Sequence, residues 1–307
     1  MNRHLAVGLG AVLAFLCVQI ASGQIPVRRM GPPPKPFERA DMPTGSTEIP
    51  MLSEGKILVE VRIDGKGPYR FALDTGAAGG GRISPALAHQ LGLEVVGQAI
   101  TGDPSGKNRQ TIDLVEAGSL AVGGITFTGV KLAASVLPAA PGSADPGFDG
   151  ILGFGLFQDH LLTLDYSARK VRIENGALPP ADGREVLDFE APRGVPSVRI
   201  EVAGVEVAAD LDSGNMRGEL VLPASYIGKV PLEGEPKVVG HGRTAFNEIE
   251  IKQARLKGGV RIGGHSVEAP LVDFVDIFPV ANVGHAFLRR FVVTIDQKNH
   301  RIRFRTA

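Results

Sequence analysis

Two short motifs of one composition hold the residues best suited to chemistry in this sequence. The first is Asp74-Thr75-Gly76 and the second is Asp212-Ser213-Gly214, and the 307-residue chain has no third triplet of this kind. Either triplet alone is typical of a turn, because Asp and Ser or Thr bond local backbone groups and Gly adopts positive φ. Two triplets at matching points of a repeated sequence instead indicate a pair of carboxylates with a shared purpose.

The sequence around the triplets does repeat. A period-2 strand, a Gly-containing turn and a second apolar strand precede each aspartate, over Ile57–Leu73 and again over Val198–Leu211. An internal repeat of this length predicts two copies of one fold. The later matches are Val95-Val96-Gly97 with Val238-Val239-Gly240, Gly123-Gly124 with Gly263-Gly264, Gly153 with Gly284, and Asp165 with Asp296.

The repeat predicts a shared chemical role for the two aspartates. When similar lobes pack about a pseudo-twofold axis, equivalent loops meet at that axis. Asp74 and Asp212 would share one proton there, because two adjacent carboxylates cannot both ionise cheaply. The ionised one can act as general base on a water, and the protonated one can polarise a carbonyl. The hydroxyl residues can fix the loops by hydrogen bonds, and the glycines permit close backbone approach. These predicted supporting residues are Thr75, Gly76, Ser213 and Gly214.

The chain resembles an aspartic peptidase of the pepsin and retropepsin group. The resembling segments are 71–77 and 148–155 in the first half, and 211–214 and 284–296 in the second. The resemblance implies an all-β fold with two tandem retropepsin-like β-barrel lobes, related by a pseudo-twofold axis in a pepsin-like bilobal arrangement. It implies a catalytic dyad of Asp74 and Asp212, no metal and no cofactor, and an extended peptide bound in the cleft. An apolar-apolar-Gly segment is expected to support each Asp loop.

Several residues near the motifs depart from the pepsin pattern. Pepsin-like enzymes carry Ser or Thr two residues after the first motif, where this chain has Ala78. After the second motif come Asn215 and Arg217, and either can perturb the pKa of Asp212. Ile151-Leu152-Gly153 fits the supporting segment well, whereas its counterpart at 282–284 begins with a polar Asn. These departures leave a narrow or lost activity open.

The remaining elements are predicted from local patterns. A Gly-rich, aromatic-poor composition with many Val and Ile favours short strands and tight turns. The best helix candidate is Ser84–Leu91, with Ser84 as its cap and Pro85 in its first turn. Two further hairpins, with tips at 101–108 and 241–246, are candidate flaps, and neither tip contains Tyr.

The N-terminus has the layout of a secretory signal peptide over residues 1–23. A short polar start is followed by an apolar run over 5–20 and by small residues before Gln24. We expect cleavage and export to the periplasm or the medium, with no membrane contact afterwards. A retained anchor is the alternative, although the run is short of the ~20 residues that a span needs. The only cysteine, Cys17, would leave with the signal peptide, which excludes thiol chemistry.

The rest of the chain divides by composition. Residues 24–48 are Pro-rich and are predicted to form a disordered tether. The N-terminal lobe is expected over 49–176, a linker over 177–195 and the C-terminal lobe over 196–307. The 33 basic residues balance 33 acidic ones, so no nucleic-acid partner is expected. We expect a monomer, with a homo-oligomer left open.

The sequence therefore predicts an exported aspartic endopeptidase that hydrolyses peptide bonds of a peptide or protein substrate. The alternative is a catalytically weak or inactive relative that binds peptides or acts as a scaffold, which Ala78 and Asn215 favour. A third possibility is that each half pairs with another chain in an oligomer.

Overall fold

The computed structural model describes residues 35–102, 109–137, 147–216, 218–243 and 248–307. Over this part of the chain the fold is all-β, as predicted, with only short helices. None of the helices in these ranges is long and apolar enough to cross a membrane. The predicted signal peptide lies outside the described residues.

The first half of the chain builds a closed barrel. In hydrogen-bond order the barrel strands are β8, β5, β9, β4, β3 and β7, and β7 pairs back onto β8. Strands β1 and β6 extend the sheet beyond the barrel. The elements of this half are β1 (Arg39–Asp41), β2 (Ser46–Pro50), β3 (Leu58–Ile63), β4 (Lys66–Asp74), β5 (Gly81–Ile83), α1 (Pro85–Leu91), β6 (Glu94–Thr101), β7 (Gln110–Val122), β8 (Ile125–Ala134), β9 (Gly150–Gly153), β10 (Leu161–Asp165) and β11 (Lys170–Glu174).

The local patterns of this half fold as the sequence predicts. Val59, Val61 and Ile63 of β3 face the core while the residues between them face solvent, which is the period of a half-buried strand. Helix α1 begins where predicted, because the Ser84 hydroxyl accepts a 3.2 Å hydrogen bond from the Leu87 amide.

The second half repeats this topology with two interruptions. Its strands β20, β15, β21, β14, β13 and β18 follow the same order as the first barrel. Residues 256–258 separate β17 from β18, and residues 269–270 separate β19 from β20, where the first half has the unbroken strands β7 and β8. The elements are β12 (Val186–Asp188), β13 (Ser197–Val202), β14 (Val205–Leu211), β15 (Leu220–Pro223), β16 (Lys237–Arg243), β17 (Glu248–Arg255), β18 (Gly259–Ile262), β19 (His265–Glu268), β20 (Leu271–Val275), β21 (Ala281–Val283), α2 (His285–Leu288), β22 (Phe291–Asp296) and β23 (Arg301–Thr306).

A six-stranded sheet joins the two halves. Its order is β12, β23, β22, β10, β11 and β2, so three strands come from each half. At its centre β10 pairs antiparallel with β22, and Thr163 lies opposite Thr294 with 3.0 Å between the two hydroxyl oxygens. These threonines occupy equivalent positions of the repeat, so the pseudo-twofold axis relating the halves passes between them.

Two segments that the sequence places outside the lobes are folded. Residues 35–48 are not a disordered tether: β1 pairs with β8, β2 pairs with β11, and Phe37 is 3% exposed beside Phe127. Within the predicted linker at 177–195, strand β12 pairs with β23 as β2 pairs with β11. The proline content of both segments favoured a prediction of irregular structure. Each segment contributes only a few strand residues, and these pair with strands that lie far along the chain.

Candidate active site

Both aspartates lie at the ends of equivalent strands. Asp74 is the last residue of β4, and Asp212 follows the last residue of β14. β4 runs parallel to β9 and β14 runs parallel to β21, so each Asp loop rests on the predicted supporting segment. The Asp212 amide donates to the Val283 carbonyl at 2.9 Å, which ties the second loop to its support.

A reciprocal set of hydrogen bonds locks the two Asp loops together. The Thr75 hydroxyl donates to the Leu211 carbonyl at 2.7 Å and accepts from the Ser213 amide at 3.0 Å. The Ser213 hydroxyl donates to the Leu73 carbonyl at 3.1 Å and accepts from the Thr75 amide at 3.0 Å. Both side chains are fully buried. The predicted hydroxyl pair thus joins one lobe to the other.

The glycines of the motifs leave room for the opposite carboxylate. A methyl group at Gly76 would stand 2.5 Å from Asp212 Oδ1, and one at Gly214 would stand 2.6 Å from Asp74 Oδ1. These distances are far below contact distance, so only glycine fits at either position. The structure therefore brings Asp74 and Asp212 side by side within one chain, and no second chain is needed to form the pair.

The two carboxylates have unequal hydrogen-bond partners. Asp74 accepts from the Gly76 amide at 2.8 Å. Asp212 accepts at Oδ1 from the Gly214 amide at 3.0 Å and the Asn215 amide at 2.9 Å. At Oδ2 it accepts from the side chain of Asn282 at 2.9 Å. Because bonds to the charged form stabilise it, Asp212 is the better site for the negative charge.

Asn282 is a site residue that the sequence reasoning did not identify as one. Its amide oxygen accepts a 2.6 Å hydrogen bond from the Asn215 side chain, so the two asparagines form a chain of amides ending on Asp212. The signal was present as the polar residue that opens the supporting segment 282–284. The prediction that Asn215 perturbs Asp212 agrees with this contact, whereas Arg217 lies outside the described residues.

The pKa values of the pair follow from burial and from these bonds. Burial, and then the charge of Asp212, raise the pKa of Asp74 to about 8. Burial also raises the pKa of Asp212, but hydrogen bonds from Asn282, Asp74, Asn215 and Gly214 oppose that rise. The proton therefore resides on Asp74, which donates to Asp212. Both residues remain partly exposed, so water can reach the pair.

A lysine contributes a third charge to the site. The half-buried ammonium of Lys56 lies 4.3 Å from the centre of the Phe148 ring, and its charge lowers the pKa of Asp74. Burial lowers the pKa of Lys56 itself, while the charges of Asp74 and Asp212 oppose that shift. No motif marked this residue in the sequence.

A cavity of about 500 Å³ opens beside the carboxylates. Its walls include the loop 76–80 after Asp74 with the start of β5, the end of β6 and the strand end that precedes Asp212. Arg193 also lines it and forms a bidentate ion pair with Asp210, at 3.1 Å through Nε and 2.5 Å through Nη2. Ala78 lies on the same wall, so the residue that replaces the expected hydroxyl faces the cleft.

Both candidate flaps are hairpins. β6 pairs with β7 and β16 pairs with β17, and each hairpin has a bulge at its repeated Val-Val-Gly segment. The two segments match in the sequence because both place a bulge at the same point of the hairpin. Of the predicted tips, residues 103–108 and 244–246 lie outside the described residues.

The comparison with protein families agrees with this geometry. Residues 59–156 match a family described as aspartyl protease. The matched region begins in β3, contains Asp74 and its supporting strand β9, and ends before β10. The match supports an aspartic peptidase family and a peptidase-type hydrolase in general. A search of curated proteins found none that matches the chain.

Proposed function

We propose that this protein is an exported aspartic endopeptidase that uses Asp74 and Asp212 as its catalytic dyad. The observation that carries the proposal is the pairing of two carboxylates with unequal hydrogen bonding, held across the lobes by Thr75 and Ser213. Export rests on the predicted signal peptide over 1–23.

The unequal bonding assigns the two roles. Ionised Asp212 takes a proton from the water while the water oxygen attacks the peptide carbonyl carbon, and Asp74 gives its proton to the carbonyl oxygen. The tetrahedral diol then loses the amine: the C–N bond breaks, Asp212 returns its proton to the nitrogen, and a diol hydroxyl returns one to Asp74. The dyad ends each cycle in its starting protonation state.

This mechanism requires one proton on the pair. Activity falls at low pH when Asp212 becomes protonated and at high pH when Asp74 loses its proton. Because the pKa of Asp74 is raised to about 8, we expect the alkaline decline of activity near that pH. The two values belong to the pair as a whole, so the profile reports joint pKa values.

The decisive experiment is a casein and peptide-library digest between pH 3 and pH 9 with protein whose chain begins at Gln24. Asp74→Asn and Asp212→Asn should each lower kcat by at least about 100-fold, because each removes one proton-transfer group. Asp188→Asn, an exposed carboxylate on β12, is the matched control and should retain full activity. Cleavage that survives Asp212→Asn would refute the dyad.

The second candidate is a peptide-binding relative without turnover. Ala78 favours it, because the hydroxyl that pepsin-like enzymes place there is absent from the cleft wall. This candidate predicts that the wild-type chain binds peptides in the cleft and cleaves none at any pH in the same digest.

A further inference from the structure

We propose that the cavity beside the dyad selects substrates that carry an acidic side chain, Asp or Glu, next to the cleaved bond. The inference rests on the proposed peptidase function and names the substrate class of that site. Arg82 and Lys131 are the specificity-determining residues.

Strand register places both cations on one wall. Arg82 of β5 lies opposite Ala133 of β8, and Lys131 precedes Ala133 by two residues, so all three share one face of the sheet. The alternate residues Ile83 and Leu132 are fully buried in the barrel core. The face that carries the cations therefore lines the cavity, and both residues belong to its wall.

Neither cation has an anionic partner among the described residues. Arg82 makes a long hydrogen bond of 3.4 Å to the neutral hydroxyl of Thr101, and the side chain of Lys131 is exposed. Arg193, the third cation of the cavity, is already bidentate to Asp210. Arg82 and Lys131 thus leave this wall with positive charge available to a ligand, and a guanidinium binds a carboxylate through two parallel bonds.

The pseudo-twofold axis supplies an internal comparison. By strand register, Val221 is the counterpart of Arg82 and Leu271 is the counterpart of Lys131. Val221 is buried in an apolar cluster with Ile251, Val275 and Ile277. The repeated fold therefore does not require a cation at either position, and only the first half of the chain carries positive charges there.

The test uses pairs of peptides that differ by Glu or Gln at one position on either side of the cleaved bond. Wild-type kcat/KM should favour Glu by about two- to fivefold at one of these positions, as expected for a partly exposed charge pair. Arg82→Met and Lys131→Met should each lower this preference, measured as the ratio of kcat/KM for the Glu peptide to kcat/KM for the Gln peptide. Lys298→Met removes an exposed charge between β22 and β23, outside the cavity, and should leave the preference intact.

Binding separates this inference from the proposed function. Asp74→Asn protein is titrated with the same Glu and Gln peptides, and thermal unfolding of each cation variant controls for folding. A Glu preference in binding with no cleavage by wild type would reject the peptidase and keep the acidic subsite. Cleavage with equal rates for Glu and Gln peptides at every position would overturn the acidic subsite and keep the peptidase.

Discussion

At the scale of single residues, the chemistry of the site depends on the small number of hydrogen bonds by which Asp74 and Asp212 differ. Asp74 and Asp212 come from matching positions, yet Asn282 donates to one carboxylate, and its counterpart on the other side is apolar Ile151. Together with the additional bond from the Asn215 amide, this difference favours the charge on Asp212 and the proton on Asp74. The two equivalent aspartates of a repeated fold thus differ in their hydrogen bonding because of Asn215 and Asn282.

A substitution at Asn282 tests this directly. Asn282→Leu keeps the branching at Cγ and removes the donor to Asp212 Oδ2, so the pKa of Asp212 rises and the acid limb of the pH profile moves to higher pH. Because a hydrogen bond to a charged group contributes roughly 1.5–3 kcal/mol, we expect kcat/KM on the acid limb to fall about tenfold or more. The alkaline half of the profile should change less.

The control for this variant is Asn175→Leu, which alters an exposed asparagine at the end of β11. Its pH–rate profile should overlay that of wild type. An Asn282→Leu profile that keeps its shape and only loses height would mean that Asn282 does not set the charge of Asp212.

At the scale of elements, strand β4 and strand β14 end in loops that hold each other. In each loop one hydroxyl group donates a hydrogen bond to a carbonyl of the other lobe and accepts one from an amide of the other loop. Neither loop is therefore held in position without the other lobe. The lobes are therefore coupled at the site itself, and the geometry of the dyad depends on two buried hydroxyl groups.

Thr75→Val measures that coupling. Valine has nearly the shape of threonine but leaves the Leu211 carbonyl and the Ser213 amide without their partner in a buried place. Each buried unsatisfied group costs about 1–3 kcal/mol, so for two groups we expect the free energy of unfolding to fall by roughly 2–6 kcal/mol in urea titration. The dyad loses its fixed spacing, and activity should fall as well.

Thr306→Val is the comparison, because Thr306 is exposed at the end of β23. Its effect should stay within about 0.5 kcal/mol. If Thr75→Val is equally mild, the hydroxyl bonds between the loops are not a source of stability.

Much of this architecture could be predicted from the sequence, because several elements have patterns within a few neighbouring residues. The period of β3, the cap of α1 and the repeated triplets are local signals, and the structure agrees with each. β1, β2 and β12 were missed because three to five residues carry no period of their own, and their partners lie far along the chain. Lys56 and Arg82 were missed because their proximity to the dyad and the cavity depends on folding and not on spacing.

At the scale of the whole molecule, the segment before the first lobe is part of the fold. Phe37 is 3% exposed, with its ring centre 5.1 Å from that of Phe127, and the Glu38 amide donates to the Thr128 carbonyl. The segment that begins at Lys35 therefore packs against the first barrel and extends its sheet.

Phe37→Ala should lower the free energy of unfolding by about 3–5 kcal/mol, as expected when a large aromatic side chain is removed from a core. Chemical denaturation measures the loss. Val136→Ala, at a position that is 82% exposed, is the control and should change the stability little. A mild effect of Phe37→Ala would mean that this segment adds no stability to the barrel.

The pairing of β10 with β22 also fixes how the two lobes are aligned at the site. A slip of one residue between these strands would translate one lobe against the other by about 3.3 Å and turn each side chain to the opposite face. The loop-to-loop bonds of 2.7 to 3.1 Å would not survive such a displacement. Thr163 and Thr294, though they lie far from the Asp motifs in the sequence, thus lie in the register that aligns the two carboxylates.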